Sequence, residues 1–164
     1  MVRIRSEHVR GGAASRRLRL RARRFLAALG RSGADLSILL VGDGSIRRIN
    51  RRWRGVDRAT DVLSFPAAPV RARGGAGGPA PRILGDVVIS LDTARRRAGG
   101  GGRALSGELD RYLAHGLLHL LGFDHQGPRQ ARQMAAREEA LLGGRGMVGA
   151  VLAPGPRRRA GPRS

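Results

Sequence analysis

The chain has 164 residues, a length typical of one compact domain, and 32 basic residues against 12 acidic ones give it a formal charge of +20. Every basic residue is arginine, and the absence of cysteine excludes disulfides, thiolate metal ligands and cysteine nucleophiles. A charge of this size favours a polyanionic partner, with RNA ahead of DNA and of an anionic membrane surface.

The first half of the chain alternates apolar runs with arginine-rich amphipathic segments. Apolar runs bounded by turn residues predict three strands, at 2–5, 35–42 and 61–66. Apolar residues at helical spacing predict one helix that is capped by Ser15 and ends at Gly30. A second, shorter helix is predicted at 43–53.

The second half begins with residues 67–82, which are rich in Gly, Ala and Pro, and we expect a mobile surface loop there. A strand is then predicted at 84–91, followed by three helices at 92–98, at about 106–121, and from Pro128 to Gly143. We expect residues 1–153 to form a single domain and the arginine-rich tail, 154–164, to be disordered. Because strands and helices mix without strict alternation, the pattern favours an α+β fold over a doubly wound sheet.

The N-terminal segment MVRIRSEHVR lacks the apolar core of a secretory signal. No stretch of the sequence approaches the roughly 18 uncharged apolar residues of a membrane-spanning helix. We therefore expect a soluble, cytoplasmic protein without a membrane partner.

Three of the four histidines lie in HGLLHLLGFDH, residues 115–125. On a helix, His115 and His119 are one turn apart on the same face, with leucines on the opposite face. Gly122 can adopt the left-handed conformation that ends a helix, so the chain can turn and bring His125 back towards the pair. Three imidazoles that leave a fourth position open predict a catalytic site for one zinc ion. The same ligands also suit nickel, copper or iron.

Zinc on three neutral imidazoles lowers the pKa of bound water to about 7 and polarises carbonyl or phosphoryl oxygens. The zinc-protease pattern His-Glu-x-x-His-x-x-Gly-x-x-His has the same spacing, but Gly116 replaces its general base. Loss of a general base typically costs about 10²–10⁴-fold in rate, which disfavours a peptidase. A metal and a nearby arginine can instead neutralise a phosphodiester, and the high positive charge makes RNA the better substrate.

Three segments of the chain strongly resemble the YbeY family of bacterial endoribonucleases. They are INRRWRGVDRATDVLSFP (49–66), LGDVVIS (84–90) and HGLLHLLGFDH (115–125). The later segment MAAREEALL (134–142) is similar to the family's final helix, so the resemblance covers about residues 35–142.

The resemblance implies zinc ligands at His115, His119 and His125 and a functionally important arginine at Arg54. It also implies cleavage of single-stranded RNA, maturation of the 3′ end of 16S ribosomal RNA, and ribosome quality control. The expected partners are ribosomal RNA and the ribosome or its proteins, and the expected fold is a single α+β domain whose mixed sheet lies beside a zincin-like helix. The chain departs from the family in its glycine-rich insertion near 72–80 and in its tail.

Several other residues have structural and functional interpretations that the sequence leaves open. Asp124 can orient a histidine, hold substrate or cap the turn, and Trp53 is expected in the core with base stacking as the alternative. Structural roles are expected for the remaining candidates: Asp61, Ser64, Asp86, Glu108, Arg111 and the surface histidine His8.

Two rival functions are also compatible with the sequence. The first is a zinc peptidase of related spacing. The second is a non-catalytic ribosome-assembly factor in which the metal only stabilises the fold.

Overall fold

A computed structural model describes residues 1–68, 82–124 and 127–143, which form four strands and five helices. In chain order these are β1 (Val2–Ser6), α1 (Gly12–Ala28), β2 (Asp35–Val41), α2 (Asp43–Arg54), β3 (Val62–Pro66), β4 (Ile83–Ser90), α3 (Leu91–Arg97), α4 (Gly102–Leu120) and α5 (Pro128–Gly143). No helix in these ranges is both long enough and apolar enough to span a lipid bilayer.

The strands form one mixed sheet in the order β1-β2-β4-β3. Strand β2 pairs in parallel with both β1 and β4, whereas β3 pairs with β4 in the antiparallel sense. The architecture confirms the predicted α+β fold, and it leaves β3 at an edge of the sheet, beside α4.

Alternation along the strands separates two hydrophobic layers, because successive side chains point to opposite faces of a sheet. On one face, Leu36, Ile38 and Leu40 of β2 join the larger core with α1, α4 and α5. On the other face, Val88 of β4 packs with Ile46 of α2. The histidine-bearing helix is therefore held against one face, while α2 covers the other.

A close approach between β3 and β4 depends on Gly85, whose φ is +133°. A Cβ atom at this position would lie 2.1 Å from the carbonyl oxygen of Phe65. Only glycine combines this conformation with this contact. The glycine of the LGDVVIS segment thus fixes how the edge strand β3 lies on β4.

A buried carboxylate ties α4 to α1. Asp110 is only 4% exposed, and its Oδ2 accepts a hydrogen bond from Nη2 of Arg17 across 2.6 Å. Nε of Arg21 lies 3.0 Å from the same oxygen. Because a buried charge without its partners is strongly destabilising, this cluster helps fix the position of α4 and of the histidines on it.

The positions of two helix starts were predicted wrongly. Helix α1 begins at Gly12, and Ser15 is not its cap: the Ser15 hydroxyl donates to the carbonyl of Gly11, 2.8 Å away, inside the first turn. Helix α4 begins at Gly102, so the last glycine of the run is helical despite the low helix propensity of glycine.

Two predicted segments fall wholly or largely outside the described residues. They are the tail, 154–164, and most of the loop predicted at 67–82. The domain limits therefore stay predictions.

Candidate metal and RNA site

Helix α4 places two of the predicted metal ligands side by side. Its leucine face is buried, as Leu113 and Leu117 illustrate, and this burial holds the half-buried His115 and His119 at the edge of the core. Their Nε2 atoms are 3.0 Å apart. Two nitrogens bound to one tetrahedral zinc ion at about 2.0–2.1 Å are about 3.3 Å apart, so the pair fits such an ion.

Glu138 of α5 supports this pair, although no spacing in the sequence singled it out. Its Oε1 lies 2.5 Å from Nδ1 of His115. A carboxylate here keeps the proton of a neutral imidazole on Nδ1 and directs the Nε2 lone pair towards His119. The only signal in the sequence was that Glu138 belongs to MAAREEALL, the segment resembling the family's last helix.

The chain turns at Gly122 after α4, as predicted from the sequence. The φ of Gly122 is +92°, and its N–H donates to the carbonyl oxygen of His119 across 3.0 Å. The N–H of Phe123 donates to the carbonyl oxygen of Leu118, also across 3.0 Å. This hydrogen-bond pair is a Schellman motif, which reverses the chain direction at a helix end. The turn places Asp124 in the wall of a surface cavity that His115 also lines.

His125, the third predicted ligand, lies outside the described residues and stays a prediction. Within the described ranges, no three His, Cys, Asp or Glu side chains form a group suited to holding a metal ion. The fit of this site to zinc therefore depends on the convergence of His115 and His119 and on the support from Glu138.

The histidine pair lines a cavity of about 710 Å³, and Arg54 lines the same cavity. Arg54 is the last residue of α2, which ends where Gly55 adopts a φ of +70°. Its Nη2 donates to the carbonyl oxygen of Ser64 across 3.1 Å, and its guanidinium carbon lies 6.0 Å from the ring centre of Phe65. No carboxylate among the described residues forms an ion pair with Arg54, so an anion in the cavity can bind an oriented guanidinium.

Gly116 packs where a zinc protease has its glutamate. A Cβ atom there would lie 2.8 Å from Cγ1 of Val87 and 3.1 Å from Oγ of Ser64. The Ser64 hydroxyl also donates to the carbonyl of Gly116 across 3.2 Å. The position faces the sheet and not the cavity, so it has no room for a general base.

The other acidic candidates differ in their relation to the cavity. Asp61 lines it, caps β3 by accepting from the N–H of Val62 at 2.8 Å, and accepts from Nη1 of Arg97 at 3.1 Å. Asp86 is exposed on β4 and does not contribute to the cavity wall that the described residues form. Glu108 pairs with Arg111 across 2.5 Å, away from that wall.

Two expectations about ring side chains were wrong. Trp53 is 65% exposed, and its ring meets Phe65 edge to face with 6.2 Å between ring centres. Trp53 lies on the same face of α2 as the buried Ile46 and Asn50, but it is next to the last residue of the helix, where the ring extends past the core and its edge contact with Phe65 covers it only in part. His8 is not an ordinary surface residue: its side chain is only 13% exposed, and Nε2 lies 2.9 Å from Oδ1 of Asp92.

The match to known proteins extends over nearly the whole chain. The family model described as Endoribonuclease YbeY matches residues 13–145. The chain is 59% identical over 159 residues to Endoribonuclease YbeY of Anaeromyxobacter sp. (strain Fw109-5), covering 97% of this chain and 79% of that protein. It is also 59% identical over 162 residues to Endoribonuclease YbeY of Anaeromyxobacter dehalogenans (strain 2CP-C), covering 98% and 80%.

A solved structure supports the fold. The solution structure of TM1509 from Thermotoga maritima superposes with a TM-score of 0.58 and covers 87% of each chain. Its sequence identity is 23%, so this likeness concerns the fold alone. The family model and the two close relatives show that the chain belongs to the endoribonuclease YbeY family.

Proposed function

We propose that this protein is a zinc-dependent endoribonuclease that cleaves single-stranded RNA. The observation that carries the proposal is one cavity that is lined both by Arg54 and by a histidine pair on α4 whose Nε2 atoms are 3.0 Å apart. A phosphodiester is the substrate that this combination suits, because it needs both charge neutralisation and a Lewis acid. Membership of the endoribonuclease YbeY family supports the same activity.

The roles of the residues follow from their positions. His115 and His119, with His125 as the expected third ligand, would hold the ion, and Glu138 would keep His115 in the required tautomer. The chemistry that a bound zinc ion supplies is Lewis acidity, which polarises a phosphoryl oxygen and makes a water molecule more acidic. Arg54 binds the phosphate oxygens and stabilises the charge that grows on them during attack.

The biological substrate in this proposal is the 3′ end of 16S ribosomal RNA, with a further role in ribosome quality control. Support comes from family membership and from the charge of +20, which favours close association with RNA. We expect the protein to act in the cytoplasm, in contact with the ribosome or its proteins.

The surviving rival is a ribosome-assembly factor in which the metal is only structural. The peptidase alternative is disfavoured, because Gly116 packs against Val87 and leaves no space for the glutamate of a zinc protease. The open cavity that the histidine pair lines favours catalysis over a structural role, since structural zinc is enclosed by four protein ligands.

The experiment that tests the proposal combines elemental analysis of the purified protein with cleavage of single-stranded RNA before and after chelation. We expect about one zinc ion per chain, loss of cleavage on chelation, and recovery when zinc is restored. His119→Ala should lose zinc and cleavage together. Cleavage that survives in a zinc-free His119→Ala protein would contradict the proposal, and a folded, zinc-loaded wild-type protein without nuclease activity would favour the assembly factor.

A further inference from the structure

A second cavity, of about 410 Å³, adjoins the candidate active site. Thr60 and Asp61 line both cavities, so the two lie next to each other at the loop that leads into β3. Three arginines line the second cavity: Arg58, Arg96 and Arg97. None of them was singled out by the sequence pattern.

Two of these arginines are held in place by carboxylates. Nη1 of Arg96 donates to Asp43 across 2.5 Å, and its Nη2 donates to Oγ1 of Thr93 across 3.0 Å. Nη1 of Arg97 donates to Asp61 across 3.1 Å. Because a guanidinium has five N–H donors, each arginine keeps donors for a further acceptor. Their orientation is thus set before a ligand binds, which lowers the entropic cost of binding.

Arg58 supplies charge that is not compensated locally. It is exposed, and no carboxylate among the described residues forms an ion pair with it. Within the described part of the chain, the second cavity is therefore lined by three guanidinium groups and one carboxylate, that of Asp61. Counting Asp43, which pairs with Arg96 beside the cavity, three guanidinium groups stand against two carboxylates, so the local charge is still positive and attracts an anion.

We propose that this cavity is a binding site for a phosphodiester of the RNA strand, outside the bond that is cleaved. The inference rests on the proposed function, since it assumes that RNA occupies the first cavity. A strand bound between Arg54 and His115 can pass Thr60 and place a neighbouring phosphate among the three arginines. The guanidinium fork suits phosphate oxygens, and the exposed position of Arg58 lets it follow a flexible single strand.

The test uses the full-length, zinc-loaded protein and a length series of single-stranded 2′-O-methyl RNAs, which resist cleavage, from a trinucleotide to a dodecamer. Arg58→Ala should weaken binding of the long RNAs about tenfold, as expected for loss of one charged hydrogen bond. It should also reduce the slope of log affinity against log salt by about 0.7, the contribution of one phosphate contact in a single strand. Binding of RNAs too short to reach the second cavity should not change.

The matched control is Arg19→Ala, which removes the same charge from the exposed face of α1 at a residue without an ion pair among the described residues. Arg58→Lys should restore part of the salt dependence. Equal effects of Arg58→Ala and Arg19→Ala, or an Arg58→Ala effect that is the same at every RNA length, would overturn the inference. If Arg58→Ala lowers the RNA affinity in a length-dependent way but the wild-type protein cleaves no RNA, the binding site in this cavity is supported. The proposed nuclease function is then overturned.

Discussion

The carboxylate of Glu138 on α5 lies 2.5 Å from Nδ1 of His115 on α4, and this contact links the last two helices that the structure describes. It determines which imidazole nitrogen of His115 faces His119. The carboxylate therefore prepares a metal ligand without touching the metal.

Replacing Glu138 by glutamine should weaken zinc binding about 10–100-fold while leaving the fold intact, because the amide holds the imidazole less firmly than a carboxylate does. Competition with a chromophoric chelator measures the change. Glu139→Gln is the matched control, since its side chain is exposed on the same helix. Equal zinc affinities for the two variants would contradict a role for Glu138.

Arg54→Ala should lower kcat for single-stranded RNA by about 10²–10³-fold, the usual loss when one group that stabilises transition-state charge is removed. The zinc content and the melting temperature should stay close to those of the wild type, because Arg54 is exposed at a helix end. Steady-state kinetics and elemental analysis check both points. The control is Arg51→Ala, which changes an exposed arginine of the same helix. If Arg54→Ala is as active as this control, Arg54 has no role in the mechanism.

Gly116→Ala should destabilise the fold by about 1–3 kcal/mol, because its methyl group would meet Val87 at 2.8 Å in a packed layer. Gly107→Ala on the same helix has open space around the new methyl group and should stabilise α4 by about 0.5–1 kcal/mol. Urea unfolding measures both free energies. Two variants of equal stability would show that Gly116 is not confined as described.

Acid should destabilise the protein partly through Asp43. Burial acts to raise the pKa of Asp43, but hydrogen bonds from Ser90, Thr93 and Arg96 outweigh it and hold the pKa below its ordinary value of 3.8. A lowered carboxylate pKa contributes stability above pH 3.8, and that contribution disappears as the pH falls further, through the folded-state pKa.

In Asp43→Asn, the free energy of unfolding should consequently fall less between about pH 7 and about pH 3 than it does in the wild type. Urea unfolding at several pH values measures the difference. Glu139→Gln, an exposed carboxylate outside this cluster, is the control. An unchanged pH dependence in Asp43→Asn would show that its carboxylate is not stabilised in the folded state.

Most strands and helices were predictable because their signals are local. The apolar run at 35–42 and the helix between Pro128 and Gly143 correspond closely to β2 and α5. The errors at Ser15 and Gly102 arose because the observed starts follow Gly11 and Gly101, which have no capping side chain and so give no local start signal. The error at His8 arose because its partner Asp92 lies on α3, which no pattern around His8 reveals.

The sequence by itself determined the helical spacing of His115 and His119 and the turn at Gly122, because both follow from the geometry of one helix and its end. Only the tertiary structure decided that Glu138 supports His115 and that Gly116 faces the sheet. Those relationships depend on how α4 packs against α5 and β4, and periodicity within a segment carries no information about which side chains of two separate elements meet.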